Sequence, residues 1–180
     1  MKLSYKKDLW AFVAICFLGL QSVAQDKAFD ESVLSDNGKQ SYRTLLKIKL
    51  FAIGGIGYGG TTSEGEKAFD KLSDEKEAVF AFKSLARTAT LEGGLYGLLG
   101  LKISDCNCFN KEYDNFRQSR LSSADKETFT AESGCIIMRA ETMEDKKSVI
   151  EYTVDKAFEN FKSKKIRERE YRRSLLKPGY

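Results

Sequence analysis

The chain reads as a mainly α, α+β protein: short helices packed as a single domain with a small antiparallel β element. Three observations predict this. Proline is nearly absent, with Pro178 alone among 180 residues, so little breaks a helix along the body. Serine, threonine and acidic residues repeatedly precede apolar residues at helical spacing. Alternating apolar runs are short and confined to residues 42–53 and 127–140, as strands in a small sheet require.

In chain order, residues 1–24 read as a secretory signal peptide. Lys2, Lys6 and Lys7 form a basic region, Leu9 to Leu20 an apolar stretch, and Ser22-Val23-Ala24 a small-residue cleavage site. The apolar stretch is short for a membrane span. An uncleaved anchor helix and a lipoprotein at Cys16 are competing readings, but Ile15 is bulky where a lipoprotein signal needs a small residue. The expected mature chain starts at Gln25, is periplasmic or secreted, and is not an integral membrane protein after cleavage.

Residues 25–40 are polar without sustained periodicity and read as a flexible leader. The globular domain is expected over residues 41–161. Leu46, Ile48 and Leu50 alternate with Lys47 and Lys49, a strand pattern; a helix through Leu45 and Leu46 is the competing reading. Five glycines then fall within residues 54–60. Ser63-Glu64-Gly65-Glu66 fits a capping box ahead of a helix carrying Ala68, Phe69 and Leu72. Ser73 is placed to cap the next helix, with Val79, Phe82 and Leu85 on its apolar face. Thr90 caps a third, which holds Leu91, Leu95, Leu98 and Leu99 among Gly93, Gly94, Gly97 and Gly100. Interior glycine costs a helix roughly 1 kcal/mol against alanine, so this helix is expected to pack very closely on a neighbour. A fourth helix should start at Asp105 or Asn107. Two short strands flank Ser133-Gly134, a hairpin signal. A last helix opens at Met143, with Val149, Ile150, Val154, Ala157, Phe158 and Phe161 as its stripe, and runs to about Glu170.

Charge is unevenly placed. The formal net charge is +4. Residues 156–177 carry nine basic and three acidic side chains, whereas residues 25–155 carry eighteen and twenty-two. The basic C-terminal tail, residues 162–180, could contact anionic surfaces or be a solvated helix end. Nucleic acid is not an expected partner in an export compartment; an unknown protein or envelope component is.

The chain has no histidine. That excludes Ser-His-Asp and Cys-His catalysis and histidine-based zinc sites. Gly55-Ile56-Gly57-Tyr58-Gly59-Gly60 formally matches G-x-G-x-x-G, but the following βαβ pattern of a dinucleotide site is missing. A structural turn or a small-anion site are the readings that remain, and no cofactor or metal is expected. The mature chain's cysteines are Cys106, Cys108 and Cys135. Cys106 and Cys108 stand too close in sequence to bridge easily, so one of them is expected to pair with Cys135. Closing that roughly 30-residue loop would contribute about 3–4 kcal/mol in the chain-entropy model. A three-cysteine metal site lacks a fourth soft ligand.

Three blocks carry a resemblance: Phe51-x-x-Gly54-Gly55-x-Gly57-x-x-Gly60-Thr61-Thr62-Ser63-Glu64-Gly65-Glu66, Leu95-Tyr96-Gly97-Leu98-Leu99-Gly100-Leu101, and Ser133-Gly134-Cys135-Ile136-Ile137. In these the chain resembles a set of uncharacterised exported bacterial proteins. The resemblance covers roughly residues 51–140 and implies compartment and domain limits, with no activity. The basic tail and Cys106-Asn107-Cys108 fall outside it.

The functional expectation is a non-enzymatic envelope binding or interaction protein. Its candidate residues are Gly55, Gly57, Gly59, Gly60, Thr61, Thr62, Ser63, Glu64 and Glu66. The alternative is a small hydrolase or small-ligand-binding enzyme using Glu64 and Glu66 beside the glycine loop. An enzyme needs a cleft where those carboxylates converge; a binding module needs an exposed apolar patch.

Overall fold

The structure, a computed structural model, describes residues 29–120, 128–134 and 136–175. The elements run α1 (Asp36–Lys47), β1 (Phe51–Ile56), α2 (Glu64–Ser73), α3 (Ala78–Thr88), α4 (Leu91–Ile103), α5 (Phe109–Asn115), β2 (Phe129–Gly134), β3 (Ile136–Ala140) and α6 (Met143–Leu175). A single 3-10 turn, Glu31–Val33, precedes α1, and a π-helical segment, Phe116–Arg120, continues α5. The fold is mainly helical with a small sheet, as the sequence predicts. The expected signal peptide, residues 1–24, lies outside the described residues.

Helix α4 is the centre of the molecule. Every residue from Leu91 to Leu101 is buried, so it has no solvent face and no amphipathic stripe. Helices α1, α2, α3, α5 and α6 and strands β1 and β2 all touch it. Its glycines make this possible. A Cβ on Gly97 would lie 2.6 Å from both Phe82 O and Ala86 N of α3, and one on Gly100 would enter the Phe82 ring. The α3–α4 seam is therefore a contact of backbone against backbone, and the expected close packing is present.

Thr90 joins three elements. Its hydroxyl accepts from Gly93 N at 3.1 Å, capping α4, and donates to Ile48 O at 2.5 Å. Its own N–H donates to Leu46 O at 3.1 Å. The orphan carbonyls at the end of α1 are thus satisfied by the start of α4.

Two expectations at the N-terminal side are corrected. Residues 42–47 are helical, and the strand starts only at Phe51. Helix α1 also begins inside the stretch that reads as a leader, with the Ser35 hydroxyl accepting from Gly38 N at 3.1 Å. Its buried face is Gly38, Ser41, Tyr42 and Leu45. Two of those four carry no apolar signal, which is why the helical period was hidden and the short alternation beyond Leu45 looked like a strand. Glu75 holds this end in place, accepting from Ser35 N at 3.1 Å and pairing with the Ser35 hydroxyl. Those bonds hold its carboxyl below the usual range.

Ser73 does not cap α3. It is the last residue of α2, where its hydroxyl donates back to Phe69 O at 2.8 Å. Helix α3 starts after Glu77 with no side-chain cap. Helix α5 starts at Phe109, later than the sequence suggests. It is fastened to α3 by Arg87, whose Nε and Nη2 donate to the two Glu112 carboxylate oxygens at 2.7 and 2.6 Å. Glu112 is 1 % exposed, so this paired geometry is what makes its burial tolerable.

The sheet order is β1-β2-β3. Strands β2 and β3 form the expected antiparallel hairpin, with Phe129 opposite Ala140 and Ser133 opposite Ile136. Strand β1 joins parallel to β2, with Phe51 opposite Ala131 and Ile56 opposite Gly134. The element is therefore mixed rather than purely antiparallel, because α2 to α5 form a crossover between β1 and β2. Phe51, Ala52 and Ile53 are all buried, as a strand covered on both faces requires. In α6, Ile150, Val154 and Ala157 are buried and Phe158 packs at the core edge, matching the expected stripe. The side chains of Val149 and Phe161 lie outside the description.

Gly97→Ala should destabilise the protein by roughly 1–3 kcal/mol through overpacking, outweighing the ~1 kcal/mol that alanine gains in helix propensity. Gly59→Ala, whose Cβ would meet only Thr61 Cγ2 at 3.7 Å, should change stability by less than about 0.5 kcal/mol. Urea denaturation midpoints compare the two; an unchanged or raised midpoint for Gly97→Ala would refute the seam.

Candidate functional site

The glycine-rich segment divides into two parts. Gly54, Gly55 and Ile56 belong to strand β1, and only Gly57 to Gly60 form the turn. Ile56 and Thr61 exchange both backbone bonds, Ile56 N to Thr61 O at 2.9 Å and Thr61 N to Ile56 O at 3.1 Å. Gly60 N closes the turn onto Gly57 O at 3.3 Å. Gly57 and Gly60 take φ of 63° and 57°, left-handed values that glycine adopts without cost. A Cβ on Gly55 would lie 2.8 Å from Gly60 Cα, so the returning chain crosses close above the strand. The result is a projecting β-turn, open to solvent, with Tyr58 fully exposed at its tip.

The outer edge of β1 fixes where this turn points. In a strand, alternate residues aim their N–H and C=O to the same side. Ala52, Gly54 and Ile56 face away from β2, and each is met. Ala52 N donates to the Tyr96 hydroxyl at 3.0 Å, and that hydroxyl donates to Ala52 O at 2.8 Å. Ser63 Oγ also donates to Ala52 O, at 3.1 Å. Gly54 N donates to Glu66 Oε2 at 3.0 Å, and Ile56 is paired with Thr61. Side chains from α2 and α4 therefore stand where another strand would otherwise dock. Gly65 lets Tyr96 reach β1, since a Cβ there would lie 2.4 Å from the Tyr96 hydroxyl.

Each candidate residue has a definite place. Gly55, Gly57, Gly59, Gly60, Thr61 and Thr62 are exposed. Ser63 caps α2 by accepting from Glu66 N at 2.9 Å, as the capping box predicts. The Glu66 side chain is 2 % exposed and accepts from Gly54 N. Glu64 is exposed and lines a different feature, a groove of about 640 Å³ beside α1 with Lys39, Arg43, Lys47 and Lys49. Glu64 and Glu66 thus do not face a common cleft. Glu92, a further carboxylate in the first turn of α4, accepts from Thr130 N at 3.0 Å, beyond the point where β1 begins to pair with β2.

Sequence reasoning missed a second component of this end of the sheet. Ile56 lies opposite Gly134, next to the β2–β3 turn, and Ile136 and Ile137 of β3 are 66 % and 57 % exposed. The parallel pairing sets Ile136, opposite Ser133, at the same end as the Tyr58 turn, whereas Ile137, opposite Glu132 and so level with Ala52, lies further along β3 and on the other face of the sheet. The adjacency of Ile136 and Ile137 was the one available signal: with period 2, two successive large apolar residues cannot both face the core.

The disulfide expectation is corrected. Cys106 bonds to Cys108; Cys135 lies outside the described residues. The turn after α4 removes the presumed obstacle. Asp105 adopts φ 49°, Cys106 N returns to Leu101 O at 3.1 Å, and Phe109 N closes onto Cys106 O at 2.9 Å. The turn closed by Phe109 N, with Asn107 inside it, holds the two cysteine Cα atoms at 5.1 Å, within the ordinary range for a disulfide.

Among the described residues no group of histidine, cysteine and acidic side chains is arranged to hold a metal ion, and no helix is long and apolar enough to cross a membrane.

Burial pushes the Tyr96 hydroxyl up to about 12. The unfolded chain releases this proton first, near pH 10, so folding stability should fall as the pH rises from about 10 towards 12. Tyr96→Phe leaves Ala52 N without its acceptor and should cost about 1–3 kcal/mol at neutral pH, while removing this alkaline component. Denaturant melts at pH 8 and pH 11 test both; identical alkaline losses in the two proteins would contradict the assignment.

Comparison with protein-family models, curated proteins and solved structures finds no match to this chain.

Proposed function

We propose that this chain is an exported interaction protein of the cell envelope, which binds its partner through the Tyr58 turn and Ile136 at the same end of the sheet, rather than an enzyme built on the glycine loop. The observation that carries this reading is the fully exposed Tyr58 on a turn whose geometry glycine alone makes cheap. Tyrosine supplies a large amphipathic contact with little rotamer entropy to lose. Ile136, exposed at the same end of the sheet, adds an apolar side chain on the side of the hairpin. Beneath them the β1 edge is braced by Tyr96, Ser63 and Glu66, so the turn is presented from a rigid base. Glu66, which the hydrolase alternative needs as an acid or base, spends its carboxylate on that bracing.

Export is supported by residues 1–24 and by the Cys106–Cys108 disulfide, since disulfides persist in oxidising compartments.

Photo-crosslinking in the native host tests the surface. A photoreactive phenylalanine analogue at position 58 should give discrete adducts. The same probe at Phe80, an exposed aromatic on α3, should not. Equal adducts at both positions, or none at 58, would overturn the reading. Mass spectrometry of the native protein tests export separately: the mature chain should begin at Gln25, and an intact Met1 form as the major species would refute it.

A further inference from the structure

We propose that Cys106 and Cys108 form a thiol–disulfide interchange site, which takes dithiol polypeptides as substrates and a small-molecule disulfide as co-substrate. The site is separate from the Tyr58 surface and does not depend on the binding role proposed for it.

The first observation is the span of the bond. Cys106 and Cys108 are two positions apart. Loop-closure entropy grows with the length enclosed, so a bond across one residue restrains the unfolded chain far less than a roughly 30-residue closure to Cys135 would. Nor does it tie two elements together: α4 is already ended by Ser104 N donating to Gly100 O at 3.0 Å, and the turn is already closed by Phe109 N on Cys106 O. A structural staple would be expected elsewhere.

The second observation is access. Both cysteines are half-buried, and Asn107 between them is exposed. Cys106 borders an open depression of about 310 Å³, whose lining includes Lys102, Asp105, Asn107, Phe109 and Asn110. Cys108 is not part of that lining. An extended peptide can therefore bring a cysteine side chain to Cys106 from this side. The mixture of polar groups with one aromatic ring suits a peptide rather than a wholly apolar ligand.

The third observation assigns the roles. Cys108 N donates to Cys106 Sγ at 3.2 Å. A backbone N–H aimed at a sulfur favours its thiolate. Cys106 is then both the sulfur that substrate reaches and the better stabilised leaving group, and Cys108 is the resolving cysteine.

The sequence of steps follows. A substrate thiolate attacks Cys106 Sγ; a substrate–Cys106 disulfide forms, the Cys106–Cys108 bond breaks, and Cys108 leaves as a thiolate that is protonated by water. The second substrate thiolate attacks the substrate sulfur of the mixed disulfide. The substrate disulfide forms and Cys106 leaves as the thiolate held by Cys108 N–H. Oxidised glutathione, standing for the disulfide co-substrate, restores the pair. Cys106 attacks it, releasing one glutathione thiolate, and Cys108 then attacks Cys106 Sγ, releasing the second. Two electrons and two protons pass from the dithiol to the co-substrate.

The test uses the purified full chain, a synthetic dithiol peptide and oxidised glutathione, following peptide oxidation by fluorescence. The wild type and Cys135→Ser should accelerate oxidation in proportion to protein concentration. Cys106→Ser should fall to the uncatalysed rate. With oxidised glutathione and no peptide, Cys108→Ser should accumulate a glutathione mixed disulfide on Cys106, located by mass spectrometry of its peptides. Circular dichroism melts establish that the variants are folded. A wild-type rate equal to the uncatalysed one, loss of turnover in Cys135→Ser, or failure of Cys106 to trap glutathione in folded Cys108→Ser would each overturn the proposal. None of these outcomes bears on crosslinking at position 58.

Discussion

The outer edge of β1 is the constraint on which the rest of the structure depends. A strand at the margin of a three-stranded sheet exposes backbone groups that must be paired or solvated, and an open edge invites another chain. Here Ala52 is met by Tyr96 and Ser63, Gly54 by Glu66, and Ile56 by the returning Thr61. These partners come from the N-terminus of α2 and the middle of α4, so closing the edge also fixes the positions of both helices. Because Tyr96, Ser63 and Glu66 are buried, the hydrogen bonds act in a medium where an unmade one is expensive.

That arrangement requires unusually close approach elsewhere. Tyr96 reaches β1 only because Gly65 has no side chain in its path, and α4 lies deep enough only because Gly97 and Gly100 admit α3. The glycines that look like defects in a leucine-rich helix are the condition for burying it on all sides. Their cost in propensity is of order 1 kcal/mol each and is offset by burial of Leu91, Leu95, Leu98, Leu99 and Leu101, each worth roughly 1.5–3 kcal/mol.

The same architecture separates two surfaces. Bracing of β1 presents the Tyr58 turn and, through the parallel pairing of β1 with β2, sets it at the same end as Ile136. The cysteine pair is held by a different device, the turn after α4 closed by Phe109 N on Cys106 O. Neither surface follows from the G-x-G-x-x-G spacing. Its first glycine is in a strand and the others sit on a bare turn, while α2 spends its cap on the edge of β1.

Local signals in the sequence determined much of this protein. The capping Ser63 and Thr90, the β2–β3 hairpin, the stripe of α6 and the close-packed glycine helix were all legible, because each rests on contacts within a few residues or on composition alone. Helix α1 was not legible: its buried face contains Gly38 and Ser41, small residues whose burial comes from their neighbours rather than from their own hydrophobicity. The parallel register of β1, the placing of the Tyr58 turn at the Ile136 end of the sheet, and the diversion of Glu66 from Glu64 were decided by tertiary structure. Each depends on residues some 12 to 80 positions apart meeting across a crossover, and spacing along the chain carries no record of that. The Cys106–Cys108 bond is the converse case. Its partners are two positions apart, yet separation alone argued against it, and only the backbone turn from Cys106 to Phe109 made the bond geometrically ordinary.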